Sequence, residues 1–260
     1  MKRFFVEFWR FGMKQVLCCV FPAAIFGTLA VSQYVDIPFL YRYDFILIVC
    51  LLVQGLMLYF KLESRDELKV ICVFHLIGLV LEIYKVHMGS WSYPEAGVFK
   101  LANVPVYSGF MYASVASYIC QAWKRFDLQF VNWPRKVVTY PIAILIYLNF
   151  FTHHFFIDLR WFLTAALFVG FYKSWALFKV TDKVYRMPVI ASFFLIGFFI
   201  WIAENIATFF GAWAYPNQEE SWQLVHLSKI SSWFLLVIIS VVIVVNLKQL
   251  KYGAEFKKNL

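Results

Sequence analysis

Long apolar runs separated by short polar stretches dominate the chain. They fall near residues 15–33, 44–60, 68–88 and 103–123, and again near 137–153, 159–178, 187–209 and 225–247. A helix needs about 20 apolar residues to cross the hydrocarbon of a bilayer, so each run predicts one membrane span. The pattern reads as an all-α polytopic membrane bundle of about eight transmembrane helices. Pro141 and the His153-His154 pair crowd the ends of the fifth run, and proline is tolerated there where neighbours satisfy the freed carbonyl.

The two series of four are related to one another. Residues 82–94 read Glu-Ile-Tyr-Lys-Val-His-Met-Gly-Ser-Trp-Ser-Tyr-Pro, and residues 204–216 read Glu-Asn-Ile-Ala-Thr-Phe-Phe-Gly-Ala-Trp-Ala-Tyr-Pro. Glu82/Glu204, Gly89/Gly211, Trp91/Trp213, Tyr93/Tyr215 and Pro94/Pro216 agree at a constant offset of 122 positions, the mark of an internal duplication. Two parallel four-helix repeats are expected, residues 1–123 and 124–260, with the polar stretch 124–136 as their boundary. An even number of spans per repeat brings both copies in from the same side, unlike the inverted repeats of many transporters.

Composition agrees with a membrane environment. With 62% hydrophobic and 15% charged residues, the chain carries too few charges to cover a soluble domain of this length. The net charge of +9 does not imply nucleic acid, because the basic residues lie in short clusters between apolar runs. Eighteen of the 24 Lys and Arg fall in alternate connections, from Lys2, Arg3, Arg10 and Lys14 to Lys248, Lys251, Lys257 and Lys258, whereas the opposite connections hold only Arg42, Lys100 and Arg160. That bias places both termini in the cytoplasm and the two Gly-x-Trp-x-Tyr-Pro stretches at the outer surface. The charged, aromatic opening as far as Lys14 reads as part of a retained first helix rather than a cleaved leader. Cys18, Cys19, Cys50, Cys72 and Cys120 lie in or beside apolar runs and read as buried free thiols.

Glu82 and Glu204 each precede their Gly by seven residues, about 10 Å along a helix. An ionisable side chain at that depth is costly and marks a functional position; proton donation or removal is the role expected. Lys85 follows Glu82 by one turn and can pair with it or assist it, although the second copy has Ala207 there, and His87 aligns with Phe209. The expected catalytic groups are Glu82, Glu204, Lys85 and His87. The expected binding groups are Trp91, Tyr93, Trp213, Tyr215, Asn205 and Lys229, with Lys229 a partner for Glu204. His75 shares the face of Glu82 and reads as an interhelical hydrogen-bonding group. His153, His154, Asp158 and Arg160 cluster between the fifth and sixth runs, but the spacing lacks a third imidazole for a metal. Neither metal nor cofactor is expected. The 30 Phe, 15 Tyr and 10 Trp read either as lipid-facing surface or as an aromatic-lined pocket suited to a prenyl or polyene chain, whose cationic intermediates π-faces stabilise.

Val104-Pro105-Val106-Tyr107-Ser108-Gly109-Phe110-Met111-Tyr112-Ala113, together with Glu82–Pro94, resembles the YoaT-like bacterial membrane proteins, a domain of unknown function. The resemblance covers the whole chain and implies a multi-pass protein of the bacterial inner membrane with no assigned activity. The chain is also distantly similar to membrane lycopene cyclases of the heterodimeric or fused type. These are duplicated and carry an acidic residue, six residues, then Gly-x-Trp-x-aromatic, matched here by Glu82, Gly89, Trp91 and Tyr93 and by Glu204, Gly211, Trp213 and Tyr215. Pro105 stands near that family's proline, but Val106, Tyr107 and Ser108 replace its acidic pair. This similarity implies acid–base chemistry on an isoprenoid-like lipid. A proton-coupled transporter and a non-enzymatic lipid-binding protein are the alternatives. Membrane lipids are the expected partners, nucleic acid is not, and the sequence assigns no oligomeric state.

Overall fold

The computed structural model describes residues 2–35 and 37–258, with side chains except those of residues 2, 3 and 249–258. Lys2, Arg3, Lys251, Lys257 and Lys258, counted above among the inner cations, therefore lie outside the described side chains. Nine helices follow among the described residues: α1 (Lys2–Cys18), α2 (Val20–Tyr34), α3 (Arg42–Tyr59), α4 (Arg65–His87), α5 (Ser108–Arg125), α6 (Lys136–Thr152), α7 (Arg160–Phe171), α8 (Val189–Phe209) and α9 (Lys229–Lys258). Helices α2 to α9 each fall on one of the eight apolar runs.

Fewer of them qualify as spans than expected. Helices α3, α4, α8 and residues Lys229–Lys248 of α9 are long and apolar enough to cross a membrane. Helices α1 and α2 add a fifth candidate only if taken together across a 69° bend. Helices α6 and α7 have 17 and 12 residues, or about 26 and 18 Å at 1.5 Å per residue, short of the roughly 30 Å of bilayer hydrocarbon. Helix α5 buries Ser108, Ser114, Ser117 and Gln121, which lowers its apolar content. Where eight spans are expected, four helices, or five with the bent pair, are candidate spans among the described residues, accompanied by shorter helices.

The surface has lipid as its solvent. Only 28% of the apolar window of α8 and 39% of that of α3 lie inside the protein. Leu51, Leu52, Leu76, Val80, Phe194 and Phe199 stand exposed. Apolar surface on that scale, on helices of spanning length, makes this a multi-pass membrane protein in contact with membrane lipid.

Two helices form the hub. Helix α5 packs against α1, α2, α4 and α9, and α9 packs against α4, α6, α7 and α8. Small residues allow the closest approaches, as in membrane bundles generally. A Cβ on Gly78 of α4 would sit 2.4 Å from the Tyr112 ring of α5, and one on Gly197 of α8 would sit 2.8 Å from the Phe234 backbone nitrogen of α9. At the far end of α4, Ser64 and Glu67 form a reciprocal capping box. The same Glu67 carboxylate accepts from Lys124 at 2.5 Å and Lys248 at 2.8 Å, tying α4, α5 and α9 together.

Strands appear that the apolar runs concealed. β1 (Lys100–Leu101) and β2 (Val104–Pro105) form a two-residue hairpin, with Ala102 and Asn103 at positive φ as a primed turn requires. β3 (Gln129–Val131), β4 (Trp175–Lys179) and β5 (Val184–Pro188) form an antiparallel sheet. Residues 175–178 therefore belong to β4 rather than to the sixth predicted span, and the polar stretch 124–136 contributes β3 beside it. Of the cysteines, Cys18, Cys50 and Cys120 are buried as expected, but Cys72 is exposed; all five are free.

Candidate functional site

The repeated motif is a helix ending followed by a return. Gly89 and Gly211 have φ of 66° and 67°, a left-handed conformation that glycine adopts without strain. After α4, the Gly89 and Ser90 amides donate to the Val86 and Lys85 carbonyls. After α8, those of Gly211 and Ala212 donate to Thr208 and Ala207. Both sets are Schellman caps. The chain then doubles back, so that Tyr93 and Tyr215, each eleven residues after its glutamate, return to Glu82 and Glu204. The two returning segments pair with each other: the Ser92 amide donates to the Ala214 carbonyl at 2.9 Å and the Ala214 amide to the Ser92 carbonyl at 3.0 Å. These residues also stand 122 apart.

Arg42, at the start of α3, holds the second cap in place. Its guanidinium donates to the Phe210 and Gly211 carbonyls, to the Leu29 carbonyl of α2 and to Ser32, and pairs with Glu95 at 2.5 Å. Tyr107 donates to the Ala212 carbonyl at 2.5 Å.

Both glutamates are buried, with 3% and 4% of their surface exposed. Glu82 Oε2 accepts from Trp91 Nε1 and the Tyr93 hydroxyl, and Oε1 from the Tyr112 hydroxyl, all at 2.7 Å. Glu204 Oε1 accepts from the Tyr215 hydroxyl and Oε2 from Trp233 Nε1, the latter at 2.7 Å. Burial first, then the neighbouring carboxylates, pushes the Tyr93 and Tyr215 phenols well above their ordinary range, so both remain protonated donors. The rings of Trp91 and Tyr215 lie edge to face at 5.8 Å, and those of Tyr112 and Trp233 are tilted against each other at 6.2 Å. Four aromatic side chains thus separate the two acids.

Beside this layer lies a cavity of about 150 Å³, lined among others by Lys85, Trp91, Tyr112, His153, Arg160, Glu204, Tyr215, Ser228, Lys229 and Trp233. Lys85 comes from α4, and Glu204 and Lys229 from α8 and α9. Lys229 stands over the Trp91 ring at 5.0 Å and the Tyr215 ring at 4.6 Å, a cation–π arrangement. The Lys85 ammonium lies 3.0 Å from His154 Nε2 and 3.4 Å from His153 Nε2. His153 Nδ1 is 3.0 Å from the Asn149 carbonyl. A carbonyl only accepts, so Nδ1 carries the proton and Nε2 turns its lone pair to Lys85. Burial, then the Lys85 charge, lowers the His153 and His154 pKa values. Arg160 pairs with Asp158 at 3.1 Å.

The predicted residues separate into groups. Lys85, Trp91, Glu204, Tyr215 and Lys229 share the cavity wall, and Glu82 and Tyr93 lie directly behind it. His87 is exposed at the end of α4. Trp213 is buried in the core. Asn205 faces the other side of α8, donating to the Trp201 carbonyl and accepting from the Val225 amide. There it borders an apolar groove of about 330 Å³ with Trp201, Ile206, Phe209 and Trp222. Among the described residues, Lys85 makes no ion pair with Glu82 and Lys229 none with Glu204; their ammonium groups reach imidazoles and ring faces instead. The His153-His154 pair holds an ammonium, and no cluster of three or more metal-binding side chains occurs among the described residues. His75 packs on Phe110 at 4.5 Å, and its Nδ1 is buried without a hydrogen-bond partner.

Comparison with known proteins assigns a family. Residues 7–241 match the model of a protein family of unknown function, DUF817. The chain belongs to this family. It is 61% identical over 250 residues to the uncharacterized protein YoaT of Bacillus subtilis strain 168, covering 96% of this chain and 95% of that one, which places it in a bacterial family, as the YoaT-like resemblance implied. Among solved structures it is similar to MvINS, a mycobacterial Insig homolog from Mycobacterium vanbaalenii, and to a cross-linked trimer of the same protein. In each case the TM-score is 0.48 at 12% identity, over 68% of this chain and 91% of the other.

Tyr112, Trp233, Arg160 and Ser228 complete the site without having been predicted as parts of it. Tyr112 and Trp233 had a usable signal: an offset of 122 carries Tyr112 to within one residue of Trp233. Arg160 stands out in sequence only through its cluster with His153, His154 and Asp158, and Ser228 has no signal; the packing of α7 against α9 brings both to the cavity.

Proposed function

We propose that this membrane protein binds the polar end of an amphipathic lipid in the cavity between α4, α7, α8 and α9. What carries the reading is the convergence of Lys85, Glu204, Lys229 and Arg160 on one small cavity in a protein whose outer surface is lipid-solvated. At about 150 Å³ the cavity is far larger than one water needs, about 10–15 Å³. It is smaller than the about 300–1,000 Å³ that takes whole drug-sized ligands. A headgroup fits that volume; a long prenyl chain does not, and its hydrocarbon would remain in the membrane. The test is the lipid content of protein extracted gently and analysed by mass spectrometry. One lipid class enriched over its share of the membrane is expected; bulk proportions would overturn the reading.

Acid–base chemistry on such a lipid is the second reading. Glu204 favours it, because its carboxylate reaches the cavity wall, whereas Glu82 lies behind the aromatic layer with three donors upon it. On this reading Glu204→Gln abolishes turnover of the bound lipid with protein abundance intact. Lipid that co-purifies unchanged with wild-type and variant protein alike leaves binding as the whole function. The same architecture suits a duplicated chain, with repeats 1–123 and 124–260, whose termini face the cytoplasm. Equal spacing of the two Glu-Tyr contacts and the mutual pairing of Ser92 and Ala214 support the duplication, and the loop cations support the orientation.

A further inference from the structure

Two of the three cations at the cavity, Lys85 and Lys229, have no ion-pair partner among the described residues, although Glu204 stands on the same wall and Asp158 pairs with the third, Arg160. Lys85 is only 5% exposed, and its ammonium meets two imidazole nitrogens. Imidazoles accept a hydrogen bond but bring no negative charge. Lys229 rests on two aromatic faces. Among the described residues, neither lysine lies within ion-pair distance of a carboxylate. The third cation, Arg160, shares Asp158 but also turns a second nitrogen toward Ser231 Oγ at 3.3 Å. The one carboxylate on the wall, Glu204, has each oxygen engaged by a neutral donor, Tyr215 and Trp233, and reaches Lys229 only through space. Ser90, Ser228 and Ser232 add hydroxyl groups to the wall, and Leu81, Phe150, Leu235 and Leu236 form its apolar part.

Buried cations without counter-ions are costly, and an anion entering among them recovers that cost. We propose that the cavity is an anion site, taking a phosphate or carboxylate group held by Lys85, Lys229 and Arg160. Lys85 supplies the buried charge, Arg160 a forked donor from the rim, and Lys229 a cation fixed by Trp91 and Tyr215. The inference rests on the binding reading above and names the chemistry of the bound group. That group belongs either to a lipid headgroup or to a free anion, and the two are separable.

The experiment uses the full chain in nanodiscs of phosphatidylcholine and follows its thermal unfolding. One arm adds sodium phosphate against sodium chloride at matched ionic strength; the other replaces part of the phosphatidylcholine with phosphatidate of the same chains. A rise in unfolding temperature with phosphate identifies a soluble anion. A rise with phosphatidate alone identifies a headgroup. In Lys85→Gln and in Lys229→Gln the apparent affinity for the effective probe is expected to fall at least about tenfold, the scale of one charge-assisted hydrogen bond. Neither substitution strands a partner carboxylate, so both variants are expected to fold; should Lys85→Gln not fold, Lys229→Gln and the wild-type titrations decide. No shift with either probe overturns the inference, and so does an undiminished shift in a folded lysine variant. A neutral lipid that co-purifies ends the anion inference and leaves the binding reading standing. Phosphate stabilisation without any enriched lipid does the reverse.

Discussion

Single residues carry the strongest commitments of this fold. Glu82 is buried with three donors aimed at it, and Tyr112 is the one donor that comes from another helix. Tyr112→Phe keeps the ring and removes the hydroxyl, so it is expected to destabilise by about 1–3 kcal/mol, the cost of a lost hydrogen bond to a buried polar group. Denaturant or thermal unfolding in a fixed detergent reads this directly; an unchanged midpoint would mean that Glu82 is satisfied without it. His153 gives a pH test. Its pKa and that of His154 are lowered by burial and by Lys85, so the folded state favours neutral imidazole. The associated stability is fully present above the ordinary histidine value of about 6.5 and is lost as pH falls from there toward the lowered folded values. The wild-type unfolding temperature should therefore drop more steeply below about pH 6.5 than that of His153→Gln. Parallel curves would remove the imidazole from the account. Glu82 and Glu204 were legible in sequence because a repeated acid in an apolar run stands out. The direction of Lys85 was not: one helical turn from Glu82 it has the reach for an ion pair, and only the folding of the α6 end beside it turns the ammonium to His153 and His154.

At the scale of elements, the Gly-x-Trp-x-Tyr-Pro stretch explains itself as a Schellman cap with a return. The glycine conformation is the essential part. Nothing lies within 4 Å of a Cβ built on Gly89, so Gly89→Ala meets no clash and its cost, about 1 kcal/mol, is that of a left-handed alanine. Gly78→Ala is different. Its methyl would overlap the Tyr112 ring and force α4 from α5, with a cost of about 1–3 kcal/mol and loosened donation to Glu82. Comparing the two unfolding midpoints separates backbone strain from overpacking; equal effects that leave α4–α5 packing intact would contradict the latter. Hydrophobic runs located helices α2 to α9 because burial and lipid both select apolar residues. They could not separate spanning from shorter helices, since only Lys173 and Ser174 interrupt the run at 159–178 between α7 and the largely half-buried strand β4. The run therefore hides a change from period 3.6 to period 2 over residues 175–178.

At the scale of the molecule, the two glutamate-bearing helices, α4 and α8, are joined through their returning segments and through the hub of α5 and α9. The proposed orientation has a direct check. A cysteine placed at exposed Asp182, between β4 and β5, should react with a membrane-impermeant thiol reagent only after the cells are opened, and one at exposed Ser92 should react in intact cells. The opposite pattern would invert the protein in the membrane.

The central claim is that the returning segments pair and so bring charged groups from α4, α8 and α9 to one cavity. Directly opposed residues of an antiparallel pair have Cα atoms about 5.5 Å apart, within the range a disulfide bridges. With the five native cysteines replaced, Ser92→Cys together with Ala214→Cys should form an intramolecular disulfide on mild oxidation in membranes, seen as a reductant-sensitive change in gel mobility. Each single cysteine should leave mobility unchanged. A double-cysteine protein that stays reduced, with both thiols open to labelling, would contradict the pairing and the shared cavity built on it.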